Sequence, residues 1–221
     1  MMIITGIVYE ALPFLLQGAV TTISLVVSAL FFGFIIGLPL AIGQVYGCLW
    51  VKKIINIYVW FFRGLPVLVL LFLFYYGLFS ITGLNISAFL SAVLVLGLRS
   101  AAYQSQIFRG SIQSISEGQL MAASALGMNK LKAVWNIILP QALRLSIPGW
   151  SNEYPAMLTE SSITYAIGVT EVLTRGSFIA SRTYQPMPIY LTCAVIFLFL
   201  SYLGLKMLHI LEIKFKIPGF E

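Results

Sequence analysis

The sequence predicts an all-α integral membrane protein with five transmembrane helices, and three observations support this fold class. Hydrophobic residues make up 60% of the 221 residues. Only 9% are charged, against about 25% in soluble globular domains, and the mean hydropathy is +0.97. A helix needs about 20 mainly apolar residues to cross a bilayer, so five or six spans would use nearly the whole chain. We therefore expect no soluble domain beside them.

Apolar runs predict the first three spans. They cover residues 15–45, 57–80 and 88–108. Gly33 and Gly37 form a Gly-x-x-x-Gly pair, which lets two helix backbones approach closely, and we expect the contact to be with another helix of the same chain. In the third span Arg99, Tyr103 and Gln106 are spaced i, i+4 and i+7, which places them on one polar face turned away from lipid.

A polar segment at residues 109–139 follows the third span and has the helix signals of a soluble protein. Ser116 followed by Gln119 fits a capping box, in which both side chains satisfy backbone N–H groups at a helix start. Gly127 is a typical helix stop. The segment therefore predicts a short helix outside the lipid.

A second helix start is predicted at Asn129. After it, apolar residues recur at i, i+3, i+4 and i+7, namely at Leu131, Val134, Trp135 and Ile138. This pattern is typical of an amphipathic helix. We expect the piece to lie along the membrane surface before the chain re-enters at Pro140.

Two further spans are predicted in the rest of the chain. The fourth, residues 143–162, contains Pro148 and Pro155. Each proline removes a helix hydrogen bond, which is tolerated at membrane depth only where protein or a wet cavity satisfies the backbone. Residues 163–185 are expected to form a loop or partly re-entrant element outside, and residues 188–209 form the fifth span.

The positions of the basic residues predict the orientation. Lysine and arginine follow the first and third spans and close the chain, at Lys52, Lys53, Arg109, Lys130, Lys132, Lys214 and Lys216. By the positive-inside rule these stretches face the cytoplasm. The N-terminus is then outside and the C-terminus cytoplasmic, and the net charge of +6 reflects topology rather than nucleic-acid binding.

The sequence argues against an enzyme. It has no Gly-x-x-x-x-Gly-Lys-Ser/Thr to cradle nucleotide phosphates, its single His209 has no metal-ligand companion, and no nucleophile elbow is present. We expect no cofactor and no metal. A secondary transporter that uses intramembrane glutamates is an alternative, although it would have no need of a helix docked outside the lipid.

The polar segment also resembles a known motif. Residues 117–128 (EGQLMAASALGM) and 138–144 (ILPQALR) are similar to the EAA loop of ABC importer permeases, in the form typical of polar amino-acid uptake systems of the histidine, arginine and glutamine type. The resemblance extends over nearly the whole chain, through LLQGAVTT at 15–22, FRGLP at 62–66, AAY at 101–103, RG at 109–110 and NE at 152–153.

This resemblance implies a single permease domain over residues 1–221, with the type I ABC importer fold, in the inner membrane. It implies one half of a homo- or heterodimer, driven by cytoplasmic ATPase subunits and supplied with an amino acid by an external solute-binding protein. A coupling helix at residues 117–126 would seat in a groove on the ATPase. The residues expected at that contact are Glu117, Gly118, Gln119, Met121, Ala122, Ala123 and Gly127.

The chain departs from the family pattern at three positions. Met121 stands where the family has the EAA glutamate, Gln106 where the third span has a glutamate, and Thr159 where the fourth has a lysine. The first departure removes an expected salt bridge to the ATPase. Glu117, four residues earlier on the same helix face, is the candidate substitute.

Charged side chains at membrane depth cost about 2.5 to 3.5 kcal/mol each, so they mark a pathway or an internal pair. Glu153, Glu160 and Arg99 are candidates for binding the ammonium and carboxylate of an amino acid. Neutral hydrogen bonds are expected from Asn152, Tyr103 and Gln106. Alternatively, Arg99 only neutralises a glutamate within the fold.

Two acids against one base favour a cationic or zwitterionic amino acid. A further hypothesis makes this chain the degenerate half of a heterodimer, with the substrate site mostly in the other subunit.

Overall fold

The computed structural model describes residues 2–83 and 85–215, in which all regular structure is helical. The α-helices are α1 (Met2–Tyr46), α2 (Leu49–Gly64), α3 (Val67–Phe72), α4 (Ala88–Gln113), α5 (Glu117–Ala125), α6 (Lys130–Ala133), α7 (Leu139–Ser151), α8 (Glu153–Ser161), α9 (Val172–Thr183) and α10 (Pro186–Phe215). Leu73–Phe79 and Val134–Ile138 are π-helical, and Ser162–Ile167 is a 3₁₀ helix. The predicted all-α class is confirmed.

Two helices are long and apolar enough to cross a membrane unaided. They are Gly6–Tyr46, with a mean hydropathy of 2.5, and Pro186–Phe215, with 2.0. A bent pair, Leu49–Gly64 and Val67–Leu78, could supply a third crossing. Since α7 and α8 have only 13 and 9 residues, length and composition do not identify a crossing there, and the count of five spans stays a prediction.

The longest interface joins α1 to α4, and the glycine pair makes it close. A methyl group at Gly33 would lie 2.7 Å from Gln104 Nε2, and one at Gly37 would lie 3.0 Å from the carbonyl oxygen of Ala101. Only a residue without a side chain permits this approach. The expectation that Gly33 and Gly37 contact another helix of the same chain is confirmed.

The second predicted span is not one straight helix. The chain bends by 108° between α2 and α3, where Leu65 has extended backbone angles and Pro66 precedes the first residue of α3. Proline has no N–H to continue α2 and disfavours a helical conformation in the residue before it. The last carbonyl groups of α2 therefore have no N–H partner in a following turn of helix, and they can accept hydrogen bonds from other groups.

The helical structure has no break at Pro140, because α6, the π segment and α7 follow one another without interruption from Lys130 to Ser151. Re-entry into the membrane at this residue stays a prediction. The π segment ends just before Pro140, and such bulges accommodate a break in the helical hydrogen bonds. The start at Asn129 is confirmed, since its side chain accepts a hydrogen bond from Lys132 N at 2.9 Å. The amphipathic pattern holds only in part: Val134 and Ile138 are buried, whereas Leu131 and Trp135 are exposed.

The fourth predicted span is broken at a different place from the one expected. Helix α7 continues through Pro148, and Pro155 lies in the first turn of α8, where a missing N–H costs little. The interruption falls between them, at Asn152.

Residues 163–185, predicted to form a loop or a partly re-entrant element, include most of the 3₁₀ helix and all of α9. Glu171 is fully buried and caps α9, accepting hydrogen bonds from Leu173 N at 2.8 Å and Thr174 N at 2.7 Å. Side-chain acceptors satisfy the free N–H groups of a first helical turn.

Candidate functional site

Charged residues of the predicted spans meet where the breaks between α2 and α3 and between α7 and α8 approach α4. The carboxylate of Glu160 on α8 accepts hydrogen bonds from Arg99 Nη2 at 2.6 Å and Arg99 Nε at 3.0 Å. Arg99 Nη1 also donates to the carbonyl oxygen of Phe62 at 3.1 Å, near the end of α2. The α2–α3 break thus gives the guanidinium a third acceptor. Arg99 therefore pairs with a glutamate of the same chain, as the alternative hypothesis for these charges expected.

Glu153 lies beside this pair but has a different partner. Its Oε1 accepts a hydrogen bond from Ser100 Oγ at 3.0 Å, and the side chain is almost wholly buried. Ser100 in turn accepts from Gln104 Nε2 at 2.9 Å, and Gln104 Oε1 accepts from Trp150 Nε1 at 2.8 Å. This chain of hydrogen bonds runs from α7 through α4 to α8 and fixes the position of Glu153.

A second arginine completes the cluster. Two guanidinium groups contact the ring of Tyr103, with Arg63 Cζ and Arg99 Cζ each 4.8 Å from its centroid. Cation–π contacts of this kind hold a guanidinium over an aromatic face. Arg63, unlike Arg99, is exposed and has no ion pair among the described residues. We call Arg63, Arg99, Tyr103, Glu153 and Glu160 the charge cluster.

Sequence reasoning missed Arg63 and Ser100. Arg63 stands in the FRGLP stretch at 62–66, whose Pro66 marked a possible break and so a possible site. Ser100 carries no comparable signal, because a lone serine next to Arg99 in an apolar helix is typical of ordinary packing.

Two of the expected neutral groups lie elsewhere. Asn152 is exposed, and its Nδ2 donates to the carbonyl oxygen of Pro148 at 3.3 Å. Gln106 Nε2 donates to Gln44 Oε1 at 2.9 Å, and Gln44 Nε2 donates to Asn56 Oδ1 at 2.9 Å. These three side chains link α4, α1 and α2. The structure therefore brings together Arg99, Tyr103, Glu153 and Glu160, and leaves Asn152 and Gln106 outside the cluster.

Helix α5 occupies the residues predicted for a coupling helix. Ser116 Oγ accepts a hydrogen bond from Gly118 N at 3.3 Å at its start. At its end Gly127 has φ +77°, a left-handed conformation that favours glycine. Gly127 N and Met128 N donate to the carbonyl oxygens of Ser124 and Ala123 at 2.9 and 3.0 Å, which is a Schellman motif.

The two faces of α5 differ. Ala123 is buried, Gln119 is half-buried, and Glu117, Gly118, Met121 and Ala122 are exposed. Met121 exposes 68% of its surface, so Glu117 and Met121 form one ridge at i and i+4. This ridge is available for a partner.

The predicted capping box does not form, because the side chain of Gln119 turns away from Ser116 to a distant partner. Its Nε2 donates to Gln141 Oε1 at 3.0 Å, and Gln141 Nε2 returns a hydrogen bond to Gln119 Oε1. Gln141 is the third residue of α7. The pair therefore fastens α5 to the helix that leads towards Glu153 and Glu160.

Comparison with known proteins identifies the class. The family described as "Binding-protein-dependent transport system inner membrane component" matches residues 33–216, which is most of the chain. The chain belongs to this family. Its members are the membrane permease subunits of ABC importers rather than the ATPases, and this chain is such a permease.

Several curated relatives match over most of their length. The chain is 36% identical over 190 residues to the probable amino-acid permease protein YxeN of Bacillus subtilis, covering 85% of each chain. It is 33% identical to the nopaline transport system permease protein NocM of Agrobacterium fabrum, covering 93% of this chain and 89% of the relative. It is 34% identical to the histidine/lysine/arginine/ornithine permease protein HisM of Escherichia coli K12, covering 84% and 82%.

Solved structures share the fold. An amino acid ABC transporter crystallised with histidines superposes with a TM-score of 0.84 at 32% identity, covering 93% of this chain and 96% of that one. The inward-facing MetNI methionine transporter gives a TM-score of 0.80 at 21% identity over 93% and 98%. The second likeness concerns the fold alone. Both share the type I importer permease fold with this chain.

Proposed function

We propose that this chain carries a polar amino acid across the inner membrane by alternating access, as the permease subunit of an ATP-driven ABC importer. Relatives named as amino-acid permeases support the substrate class. The charge cluster is the observation within the chain that carries the proposal. It gathers two arginines and two glutamates beside discontinuous helices, the arrangement by which transporters bind ions and charged substrates at mid-membrane.

The cluster can recognise both ends of an amino acid. Arg63 is exposed, so it can take the substrate carboxylate as a bidentate ligand. Glu153 uses Oε1 for Ser100, and Oε2 has no hydrogen bond within the described residues, so it can receive the ammonium. Glu160 is largely committed to Arg99.

The charge balance refines the expected substrate. Sequence reasoning weighed two acids against one base, but the second arginine makes the formal charges equal. An equal balance favours a zwitterionic substrate such as glutamine or histidine over a strictly cationic one. A cationic amino acid would need a further acceptor from the second permease subunit.

Such an importer also needs partner subunits and a defined orientation in the membrane. The exposed ridge of α5 would contact a cytoplasmic ATPase, a second permease subunit would complete the pathway, and an external binding protein would deliver substrate. Five spans, with the N-terminus outside and the C-terminus cytoplasmic, agree with the positions of the basic residues. When the ATPases close, movement of α5 would pass to α7 and α8 and change access to the cluster.

Uptake of a labelled amino-acid panel into vesicles that hold the assembled importer, with and without ATP and binding protein, tests the proposal. We expect ATP-dependent uptake of polar amino acids. Glu153→Asp moves the carboxylate by one methylene, so it should raise the KM for uptake while the complex still assembles. Thr159→Ala, on the same helix and exposed, is the control.

Unchanged KM in Glu153→Asp, together with full substrate occupancy of the partner subunit alone, would instead favour the degenerate-partner hypothesis.

A further inference from the structure

A long apolar groove runs along the side of the protein between α1 and α10. It encloses about 510 Å³ in one part and about 320 Å³ in an adjoining part, and the two parts share Phe34, Trp150, Leu208 and Leu211. We call it the α1–α10 groove. Its walls are formed on α1 by Ile23, Val27, Leu30, Phe31 and Phe34, and on α10 by Leu200, Leu203, Gly204, Met207, Leu208, Leu211 and Phe215.

The groove is bordered by helices whose length and composition suit them to hydrocarbon surroundings. Helices α1 and α10 are the two described helices that qualify as membrane spans by themselves. Tyr154 is the main polar side chain in the larger part, and its hydroxyl is already used in a hydrogen bond to the carbonyl oxygen of Leu200 at 3.0 Å. An occupant of this groove must therefore be apolar.

The dimensions fit one lipid chain. The groove follows α1 from Ile23 to Phe34 and α10 from Leu200 to Phe215, which at 1.5 Å per residue is about 16 Å and about 22 Å. One leaflet of a bilayer contributes about 15 Å of hydrocarbon, half of the total thickness. A single acyl chain would cover nearly all of the α1 wall and about two thirds of the α10 wall.

The rim of the groove is unlike a surface that packs against another helix. Membrane helix interfaces are rich in small residues that let backbones approach. Here the rim carries bulky exposed side chains, with Phe31 65%, Met207 61% and Val27 56% exposed. Gly204 is the one small residue of the α10 wall, and the ring of Tyr154 already fills the space against it. A flexible chain fits such a surface better than a rigid helix does.

A basic residue lies at the end of the groove. Lys214 is adjacent to Phe215 and one turn beyond Leu211, on the flank of the wall that these residues form. Glu212 lies on the other side of the helix, since two residues turn a helix by about 200°. Lysines at the membrane boundary attract anionic headgroups.

We propose that the α1–α10 groove holds an acyl chain of an anionic phospholipid whose phosphate is bound by Lys214. The bound lipid touches the functional helix directly, because Tyr154 lines the groove and is adjacent to Glu153. Occupation of the groove would brace α8 against α10 and support the cluster.

The test uses the assembled importer in vesicles of phosphatidylethanolamine and phosphatidylglycerol, with a trace of phosphatidylglycerol that carries a photoreactive acyl chain. Leu203→Trp fills the groove and should lower cross-linking to α1 and α10 several-fold. Leu198→Trp is the matched control, because Leu198 is 70% exposed on α10 and does not line the groove. It should leave that cross-linking unchanged.

A headgroup measurement keeps the proposal testable if Leu203→Trp fails to fold. Lys214→Ala should abolish the preference of the photoreactive phosphatidylglycerol over a photoreactive phosphatidylethanolamine, and Lys206→Ala, which faces away from the groove, should not. Equal cross-linking in Leu203→Trp and Leu198→Trp would overturn the proposal. So would a disulfide between a cysteine introduced at Val27 or Met207, at the rim of the groove, and one introduced in a second permease subunit, because a protein would then occupy the groove.

Discussion

Gln119 and Gln141 exchange side-chain hydrogen bonds across 22 residues of sequence, with Gln119 Nε2 to Gln141 Oε1 at 3.0 Å and a second bond in return. Gln141 Nε2 also donates to the carbonyl oxygen of Ile137 at 2.8 Å. The pair therefore ties α5 to the backbone at the start of α7. Within the described residues, no other side chain of α5 forms a hydrogen bond to a residue outside the helix.

We expect Gln119→Ala to uncouple transport from ATP hydrolysis. Loss of two neutral hydrogen bonds weakens the connection by about 1 to 3 kcal/mol, so α5 would move with less effect on α7. Uptake per ATP hydrolysed in proteoliposomes should fall, while the ATPase still assembles.

Gln141→Ala and the double variant should lower uptake per ATP hydrolysed by the same amount, since all three variants remove the same contact. Gln113→Ala, an exposed glutamine at the end of α4, is the control, and a similar loss there would contradict the prediction.

Glu117 is expected to replace the missing carboxylate at Met121. Both side chains are exposed on one face of α5, so either could reach a basic residue of the ATPase. Glu117→Ala should lower coupled ATP hydrolysis in reconstituted vesicles, and Glu117→Ala with Met121→Glu should restore it. Ser124→Ala, exposed on the same helix, is the control. If Glu117→Ala leaves coupling untouched, Glu117 has no such role.

The same segment shows what local sequence can and cannot predict. Ser116 and Gly127 marked the ends of α5 correctly, because capping depends on residues only a few positions apart. The spacing of Ser116 and Gln119 also fitted a capping box, but Gln141 supplied a tertiary partner that local spacing does not reveal.

Sequence likewise predicted which charged residues would form the cluster, except Arg63, but it did not predict how they pair. The cost of burying charge in a membrane singled out Arg99, Glu153 and Glu160. The assignment of Glu160 to Arg99 and of Glu153 to Ser100 depends on how α8 is rotated against α4. Arg63 joins them because the end of α2 lies against Tyr103 of α4, a tertiary contact that the FRGLP sequence alone does not specify.

Removal of one partner of the Arg99–Glu160 pair should be costly. The two side chains are 12% and 22% exposed, so the pair is partly buried. Removing one partner leaves an unpaired charge, at a cost below the about 3 to 5 kcal/mol that applies to fully buried pairs. Arg99→Gln and Glu160→Gln should each lower the Tm and the folded yield of the complex. Arg99→Gln with Glu160→Gln should recover most of the Tm while substrate uptake stays low. Recovery of both Tm and uptake would show that the pair serves the fold alone.

A larger residue at Gly33 should separate α1 from α4. A methyl group there would already lie 2.7 Å from Gln104 Nε2 and 2.9 Å from Ser100 Cβ, and overpacking costs about 1 to 3 kcal/mol. Gly33→Leu should lower the Tm and, through Ser100, displace Glu153 and raise the KM for uptake. Gly6→Leu adds the same bulk to α1 where nothing lies within 4 Å, so it should change neither. Equal effects of the two variants would contradict this account.

Glu171 should stabilise the protein by holding the start of α9. Its carboxylate accepts two backbone hydrogen bonds and a third from Thr174 Oγ1 at 2.9 Å, and replacement of a capping side chain by alanine costs about 0.5 to 2 kcal/mol. Glu171→Ala should therefore lower the Tm of the purified complex more than Glu171→Gln, which keeps one acceptor oxygen. Glu10→Ala, at an exposed glutamate of α1, is the control.

Because Val172, the first residue of α9, packs against Gly18 of α1, loss of the cap should also loosen that contact, and hydrogen exchange at residues 172–176 should increase. Exchange that stays as slow as in the unmodified chain would mean that packing on α1, rather than the carboxylate, holds α9 in place.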